Sequence, residues 1–297
     1  MSKGSAPVVG WIGVGKMGLP MCRNLLRAGF SVVAFNRTQS KLAPLVEEGA
    51  TAAASCREVA AAPLVVSMVS DDAALRSVAL GEAGVLANAA KGSVYIDMST
   101  VSPAASAEVA SEAGALGIDY LRAPVSGGVA LAEAAKLTVL MSGSKQAQDG
   151  SLALFEAMSS KQINVGTADE SRHLKLLINM MVGATAAMVG EALTYGRRGG
   201  LDWETMLEAL GASAVASPLI GYKLEPLRKR DFTATFTIEQ MIKDFDLYLQ
   251  SGQQVHAPLP IAAMVRQLFA VAEAQGDGAL DFFATVKTME GLAGLDN

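Results

Sequence analysis

Gly13-Val14-Gly15-Lys16-Met17-Gly18 follows the short apolar run Val8 to Ile12. From Lys16 to Ala28 the apolar spacing is that of a helix, and Gly29 supplies its stop. Glycines in the pattern G-x-G-x-x-G, set between a strand and a helix, leave few folds open. Gly13 permits the tight turn. Gly15 lets a pyrophosphate approach the backbone, and Gly18 lets helix and strand pack closely. Phosphate oxygens then meet the N–H groups that a helix leaves open at its N-terminus, with Lys16 and Met17 in the same loop. The pattern predicts the start of a dinucleotide-binding sheet.

The chain after it supports that reading. Ser31 to Phe35 is a second apolar strand, and Leu64 to Val69 and Val94 to Asp97 read as further buried strands. Ala-rich helical segments such as Ala73 to Leu80 and Ala104 to Ala115 lie between them. This alternation predicts an α/β fold with a doubly wound parallel sheet. Asp119 to Leu121 and Leu137 to Ser142 extend the sheet on its far side. After Val165 the apolar spacing becomes helical, over Asp169 to Gly196, Trp203 to Leu210, Ile238 to Ser251 and Pro260 to Ala274. We expect a cofactor-binding domain over residues 1–165 and an all-helical domain over 166–297. Asp169 and Glu170 put negative charge where a helix N-terminus favours it.

Composition narrows the function. The formal net charge is -5, and the run Arg228-Lys229-Arg230 is too short to serve nucleic acid. Cys22 and Cys56 have no metal or redox spacing and fit a reducing, cytoplasmic setting. Met1 to Pro7 lacks the apolar segment of a signal peptide. Met180 to Gly190 is too short to span a bilayer and reads as the core of a buried helix, so no membrane partner is expected. His173 and His256 are too scattered to build a metal site, and His173 reads as structural. The fourteen methionines suit adaptable core filling.

Two places carry chemistry. The second strand ends in Asn36-Arg37-Thr38, with no acid to hold a ribose 2′-hydroxyl. Arg37 can bond a 2′-phosphate, with Asn36 and Thr38 adding hydrogen bonds, which favours NADP(H) over NAD(H). Lys175 and Asn179 sit four apart in a helical stretch and so share one face. An ammonium beside an amide can hold a substrate oxygen and pass it a proton. A dinucleotide site with one such lysine reads as a dehydrogenase.

Taken together these residues resemble the β-hydroxyacid dehydrogenase family, which includes 3-hydroxyisobutyrate dehydrogenase, tartronate semialdehyde reductase and glyoxylate/succinic semialdehyde reductase. The resemblance runs from Gly10 to Met21 with Asn24-Leu25, through Asn36-Arg37-Thr38, Ile96 to Thr100 with Ser102-Pro103, Ala123 to Gly128, Gly166 with Lys175 and Asn179, to Phe236 and Lys243-Asp244. It implies an N-terminal Rossmann-type domain, a long interdomain helix and an all-helical C-terminal domain, as in 6-phosphogluconate dehydrogenase. It also implies reversible hydride transfer between a 3-hydroxy acid and its semialdehyde, or reduction of a 2-oxo acid. Ser99 and Thr100 correspond to the nicotinamide-pocket segment, and Met68, Val69 and Lys243 join the cofactor-binding set. Lys175 and Asn179 correspond to the catalytic pair. Ser126, Gly127 and Gly128 form a turn that can cup the substrate carboxylate. Lys243 is a second cation for the site.

This chain departs from the family pattern at three positions. Asp169 and Ser171 replace glycines after Gly166, and Arg122 stands where an Asp often precedes the Ala-Pro-Val-Ser-Gly-Gly turn. Arg122 either adds a cation near the substrate turn or faces solvent. Two other functions compete on the same fold, an imine reductase and a catalytically silent dinucleotide-binding regulator. Imine reductases that resemble this chain in its first half usually lack the lysine, so Lys175 counts against the first, and the regulator has no need for Lys175, Asn179 and the Ser-Gly-Gly turn together. The Ala-rich helical half is expected to assemble as a homodimer or homotetramer.

Overall fold

A computed structural model describes residues 8–295, so the reading of Met1–Pro7 lies outside the described residues. The chain divides into two compact units, Met1–Lys175 and Leu176–Asn297.

The first unit is built on a 9-stranded sheet. Its strands are β1 (Val8–Ile12), β2 (Ser31–Phe35), β3 (Thr51–Ala52), β4 (Leu64–Ser67), β5 (Val94–Asp97), β6 (Asp119–Arg122), β7 (Val125–Ser126), β8 (Leu137–Ser142) and β9 (Ser159–Gly166). From one edge the order is β3-β2-β1-β4-β5-β6, all parallel. The chain turns one way after β1 and the other way from β4, so the order reverses between them. In such sheets ligands bind outside the carboxyl ends of the strands at that switch point. Ile12 pairs with Phe35 on one side and Ser67 on the other. Gly13, Asn36 and Met68 therefore leave the sheet side by side.

Burial on both faces explains why the central strands are continuously apolar. Val9, Trp11, Val66 and Ile96 enter one core cluster, while Ile12, Val65 and Tyr95 enter another. Beyond β6 the sheet is mixed. β8 runs antiparallel to β6 and β7, and β9 is parallel to β8. β9 lies where no strand was expected. Its sequence, Ser-Ser-Lys-Gln-Ile-Asn-Val-Gly, has few apolar residues, and much of it is exposed. The first unit also runs past the expected division at 165/166 to Lys175. Ser171 and Arg172, in the first turn of the next helix, are buried within it.

The second unit is helical. The 29-residue helix Glu170–Arg198 begins in the first unit and continues through the second. Its companions are Trp203–Ala212, Pro218–Lys229, Ile238–Gln254, Pro260–Ala272 and Thr285–Leu292. Asp202, Ser217 and Thr237 cap three of them with side-chain oxygens. Glycines let the long helix meet its neighbours closely. A Cβ on Gly183 would lie 2.4 Å from the Phe245 ring, and one on Gly190 would lie 3.2 Å from the Val286 backbone. The long helix exceeds the Met180–Gly190 stretch read from sequence, and it is long and apolar enough to cross a membrane by length and composition. Ala184, Ala187, Val189 and Leu193 instead pack in the core of the second unit. It serves that unit as its core helix.

Candidate active site

The glycine loop has the geometry its pattern demands. Gly13 has φ +98°, and a Cβ there would lie 2.2 Å from the Met68 carbonyl oxygen. A Cβ on Gly18 would meet the Gly13 carbonyl oxygen at 2.1 Å. Gly15 is different: it is exposed, and nothing lies within 4 Å of its would-be Cβ. Two glycines are thus required by the protein's own packing, while the third leaves open space beside the backbone. A dinucleotide phosphate fits there, at the start of the helix Gly18–Arg27. Lys16 is exposed and Met17 half-buried in the same loop.

Asn36 is used differently from the expectation. Its Oδ1 accepts from Val14 N–H at 2.9 Å, and its Nδ2 donates to the Thr38 carbonyl at 2.8 Å. The amide ties the glycine loop to the end of β2. It shapes the site through these two bonds. Arg37 and Thr38 are exposed at that strand end.

At the ends of β4 and β5 lies a buried polar network. Asp97 is fully buried, and its Oδ1 accepts from Ser67 Oγ at 2.6 Å and Ser99 Oγ at 2.7 Å. Ser99 Oγ in turn accepts from Val69 N–H at 2.8 Å. Ser99 therefore presents no surface, which corrects its expected direct contact with cofactor. Its hydroxyl instead holds Val69 in place. Met68, Val69 and Thr100 are half-buried at the same strand ends. Burial pushes the Tyr95 and Tyr120 hydroxyls up, so both remain protonated near neutrality; Tyr95 donates to Ser67 Oγ and Tyr120 accepts from Arg172.

Arg172 completes the network and had no sequence signal of its own. Its Nη2 bonds Asp97 Oδ2 at 2.5 Å and Tyr120 Oη at 3.0 Å, and its Nη1 donates to the Ser99 carbonyl at 2.8 Å. Burial works against the Arg172 charge, but Tyr120 and Asp97 outweigh it.

The three departures from the family pattern also find partners here. Arg122 is buried, so it neither faces solvent nor offers a spare cation to substrate. Its Nε bonds Asp169 Oδ1 at 2.8 Å, and its guanidinium lies 4.9 Å from the Tyr120 ring centroid. Ser171 Oγ is 2.7 Å from Ser142 Oγ. The neighbouring turn holds Ser126, half-buried, and Gly127 and Gly128, both exposed. Gly127 has φ +130°, and a Cβ there would press on Leu137 at 2.8 Å.

Lys175 and Asn179 lie one turn apart on the long helix, with Lys175 half-buried and Asn179 buried. Asn179 Nδ2 donates to Asp244 Oδ2 at 2.5 Å. Lys243 Nζ is 2.9 Å from Asp244 Oδ1. One carboxylate thus orients an amide and stands beside an ammonium. Asp244 was legible only as part of a motif, because its partner lies 65 residues away. His173 is exposed.

Comparison with known proteins agrees with this fold. Residues 8–166 match the NAD binding domain of 6-phosphogluconate dehydrogenase, and residues 170–289 match the NAD-binding model of NADP-dependent 3-hydroxyisobutyrate dehydrogenase. The chain is 34% identical to 2-(hydroxymethyl)glutarate dehydrogenase of Eubacterium barkeri over 97% of its own length and 96% of that protein's. It is 32% identical to glyoxylate/succinic semialdehyde reductase 1 of Arabidopsis thaliana, over 95% of this chain and 98% of that one. Its fold matches the crystal structure of 3-hydroxyisobutyrate dehydrogenase from Salmonella typhimurium with a TM-score of 0.87 at 29% identity, covering 95% and 99% of the two chains. A glycine loop with room for a dinucleotide, a lysine–asparagine pair on one helix face and this likeness along the whole chain place it in the β-hydroxyacid dehydrogenase family, NAD(P)-dependent enzymes of the 3-hydroxyisobutyrate and semialdehyde-reductase kind.

Proposed function

We propose that the protein reduces a small semialdehyde or 2-oxo acid with NADPH and catalyses the reverse oxidation of the corresponding hydroxy acid. The observation that carries this reading is the Lys175–Asn179 pair, with the Asn179 amide oriented by Asp244. A bound nicotinamide supplies or accepts the hydride. Lys175 delivers a proton to the nascent alkoxide oxygen, and in the reverse direction takes it back. Asn179 donates an N–H to the same oxygen and holds it within reach of the ammonium. Ser126, Gly127 and Gly128 take the carboxylate through the hydroxyl and the backbone N–H groups of an open turn. The names of the relatives, which act on small hydroxy acids and semialdehydes, support the substrate class.

The test is a panel of glyoxylate, succinic semialdehyde, tartronate semialdehyde and methylmalonate semialdehyde, followed by the loss of NADPH absorbance. Turnover of at least one is expected. A cyclic imine is assayed beside the panel: no turnover of any of them while NADPH still binds would favour a dinucleotide-binding regulator, and turnover of the imine alone would favour an imine reductase.

NADPH is favoured because Arg37 stands exposed at the β2 end and no carboxylate there repels a 2′-phosphate. Arg37→Ala should raise KM for NADPH by about 10-fold or more, the worth of one charge-assisted bond pair, and leave KM for NADH nearly unchanged. Equal effects on the two cofactors would remove this assignment.

We further propose a homodimer or homotetramer. Leu177, Met181, Met188 and Tyr195 are 48%, 57%, 61% and 80% exposed along the long helix. An apolar stripe of that length marks an interaction surface. Sedimentation at micromolar concentration should show an oligomer, and a monomer throughout would contradict it.

A further inference from the structure

We propose that Arg172 is a positioning residue for hydride transfer: it fixes the first turn of the long helix, and with it Lys175, against the strand-end segment around Ser99. The inference rests on the reading of Lys175 as proton donor.

Arg172 is 1% exposed, and its guanidinium is bonded on three sides. Besides Asp97, the Ser99 carbonyl and Tyr120, its Nε donates to Ser106 Oγ at 3.2 Å. Through Asp97 and Ser99 the chain of bonds continues to Ser67 and to the Val69 backbone. A single side chain therefore joins the ends of β4, β5 and β6 to the helix that bears Lys175. Lys175 lies one turn further on, so a small rotation or slide of the helix carries its Nζ with it.

Two other contacts hold the same helix start, and they separate aim from attachment. Arg122 bonds Asp169, and Ser142 contacts Ser171. Neither touches Ser99. Loss of Arg172 therefore leaves the helix attached to the first unit while removing its bond to the segment beside the cofactor. Arg122 Nε also reaches Ser106 Oγ, at 3.3 Å, so the two arginines share that hydroxyl as well as Tyr120. A lysine cannot replace this arrangement, because it lacks the planar fork that bonds Asp97, Ser99 and Ser106 at once.

The test compares Arg172→Lys, Arg172→Met, Tyr120→Phe and Lys175→Ala with wild type, with rates expressed per NADPH-binding site. A misplacement of about 1 Å near a reacting centre costs on the order of 100-fold in rate. Arg172→Met should therefore lower kcat by about 100-fold and Arg172→Lys by about 10-fold, with the NADPH dissociation constant changed by less than about 3-fold. The deuterium isotope effect from C4-deuterated NADPH should rise as the hydride step becomes limiting. Tyr120→Phe keeps the ion pair and removes only the hydroxyl's bonds to Arg172 and Ser106, so it remains informative if the arginine variants fail to fold. It should lower kcat by about 2- to 5-fold, with the isotope effect raised in the same sense.

If the Arg172 variants keep wild-type kcat per binding site and an unchanged isotope effect while Lys175→Ala is inactive, Arg172 is structural only and the proposal is overturned. If those variants do not fold, an unchanged kcat and isotope effect in Tyr120→Phe overturns it equally. If Lys175→Ala itself turns over at the wild-type rate, the proton-donor reading fails and this inference falls with it.

Discussion

Replacing Lys175 with alanine should lower kcat by about 10²- to 10⁴-fold, the usual worth of a positioned proton donor. Cofactor binding should survive, because Gly13, Gly15, Gly18 and Arg37 lie in the glycine loop and at the β2 end, whereas Lys175 lies on the long helix. Asn179 cannot take over the role, since an amide donates hydrogen bonds but has no proton to transfer. Asn179→Ala should cost less, because it removes a partner of the substrate oxygen while the ammonium stays. Steady-state kinetics and NADPH fluorescence titration on the two variants check both statements. A Lys175→Ala enzyme within a few-fold of wild type would overturn them.

Asp97→Ala should be the most destabilising of the single changes considered, by about 3–5 kcal/mol, the cost of leaving a buried charge without its partner. Arg172 would remain 1% exposed with its carboxylate gone. A guanidinium cannot shed its proton to escape this, whereas a carboxyl left alone can neutralise itself by taking one up. Asp97→Ala should therefore cost more than Arg172→Met, although both break the same 2.5 Å pair. At roughly 2–4 °C per kcal/mol for a unit of this size, the melting temperature should fall by about 10 °C. The two melting curves decide it. Equal or reversed costs would mean that water reaches the pair and that the network does not hold the strand ends.

The parts of this fold that could be read from sequence are those decided locally. β1 and the helix after it are announced by three glycines, two of which, Gly13 and Gly18, have a steric reason in the protein's own packing. β4 and β5 are buried on both faces, so they appear as apolar runs broken only at their last residues, Ser67 and Asp97. The Lys175–Asn179 pair follows from helical spacing alone. What stayed hidden depends on register across the sheet. β9 gains its order from pairing with β8 rather than from its own residues. Arg122, Asp169 and Ser171 looked like three separate departures. They make sense only once the carboxyl ends of the strands meet the start of the long helix, where Arg122 bonds Asp169 across 47 positions. Asn36 and Ser99 lie at the carboxyl ends of the strands, and each bonds the protein itself. Sequence spacing shows which residues lie near a ligand. It does not show which polar atoms the scaffold has already claimed.

The reading of Lys175 as proton donor is tested most directly by adding small primary amines to the Lys175→Ala enzyme under single-turnover conditions, with NADPH and the best acid substrate bound. NADPH oxidation should accelerate with amine concentration, saturate, and depend on the acidity of the added ammonium. A rate indifferent to every amine, in an enzyme that still binds both ligands, would mean that position 175 does not deliver the proton.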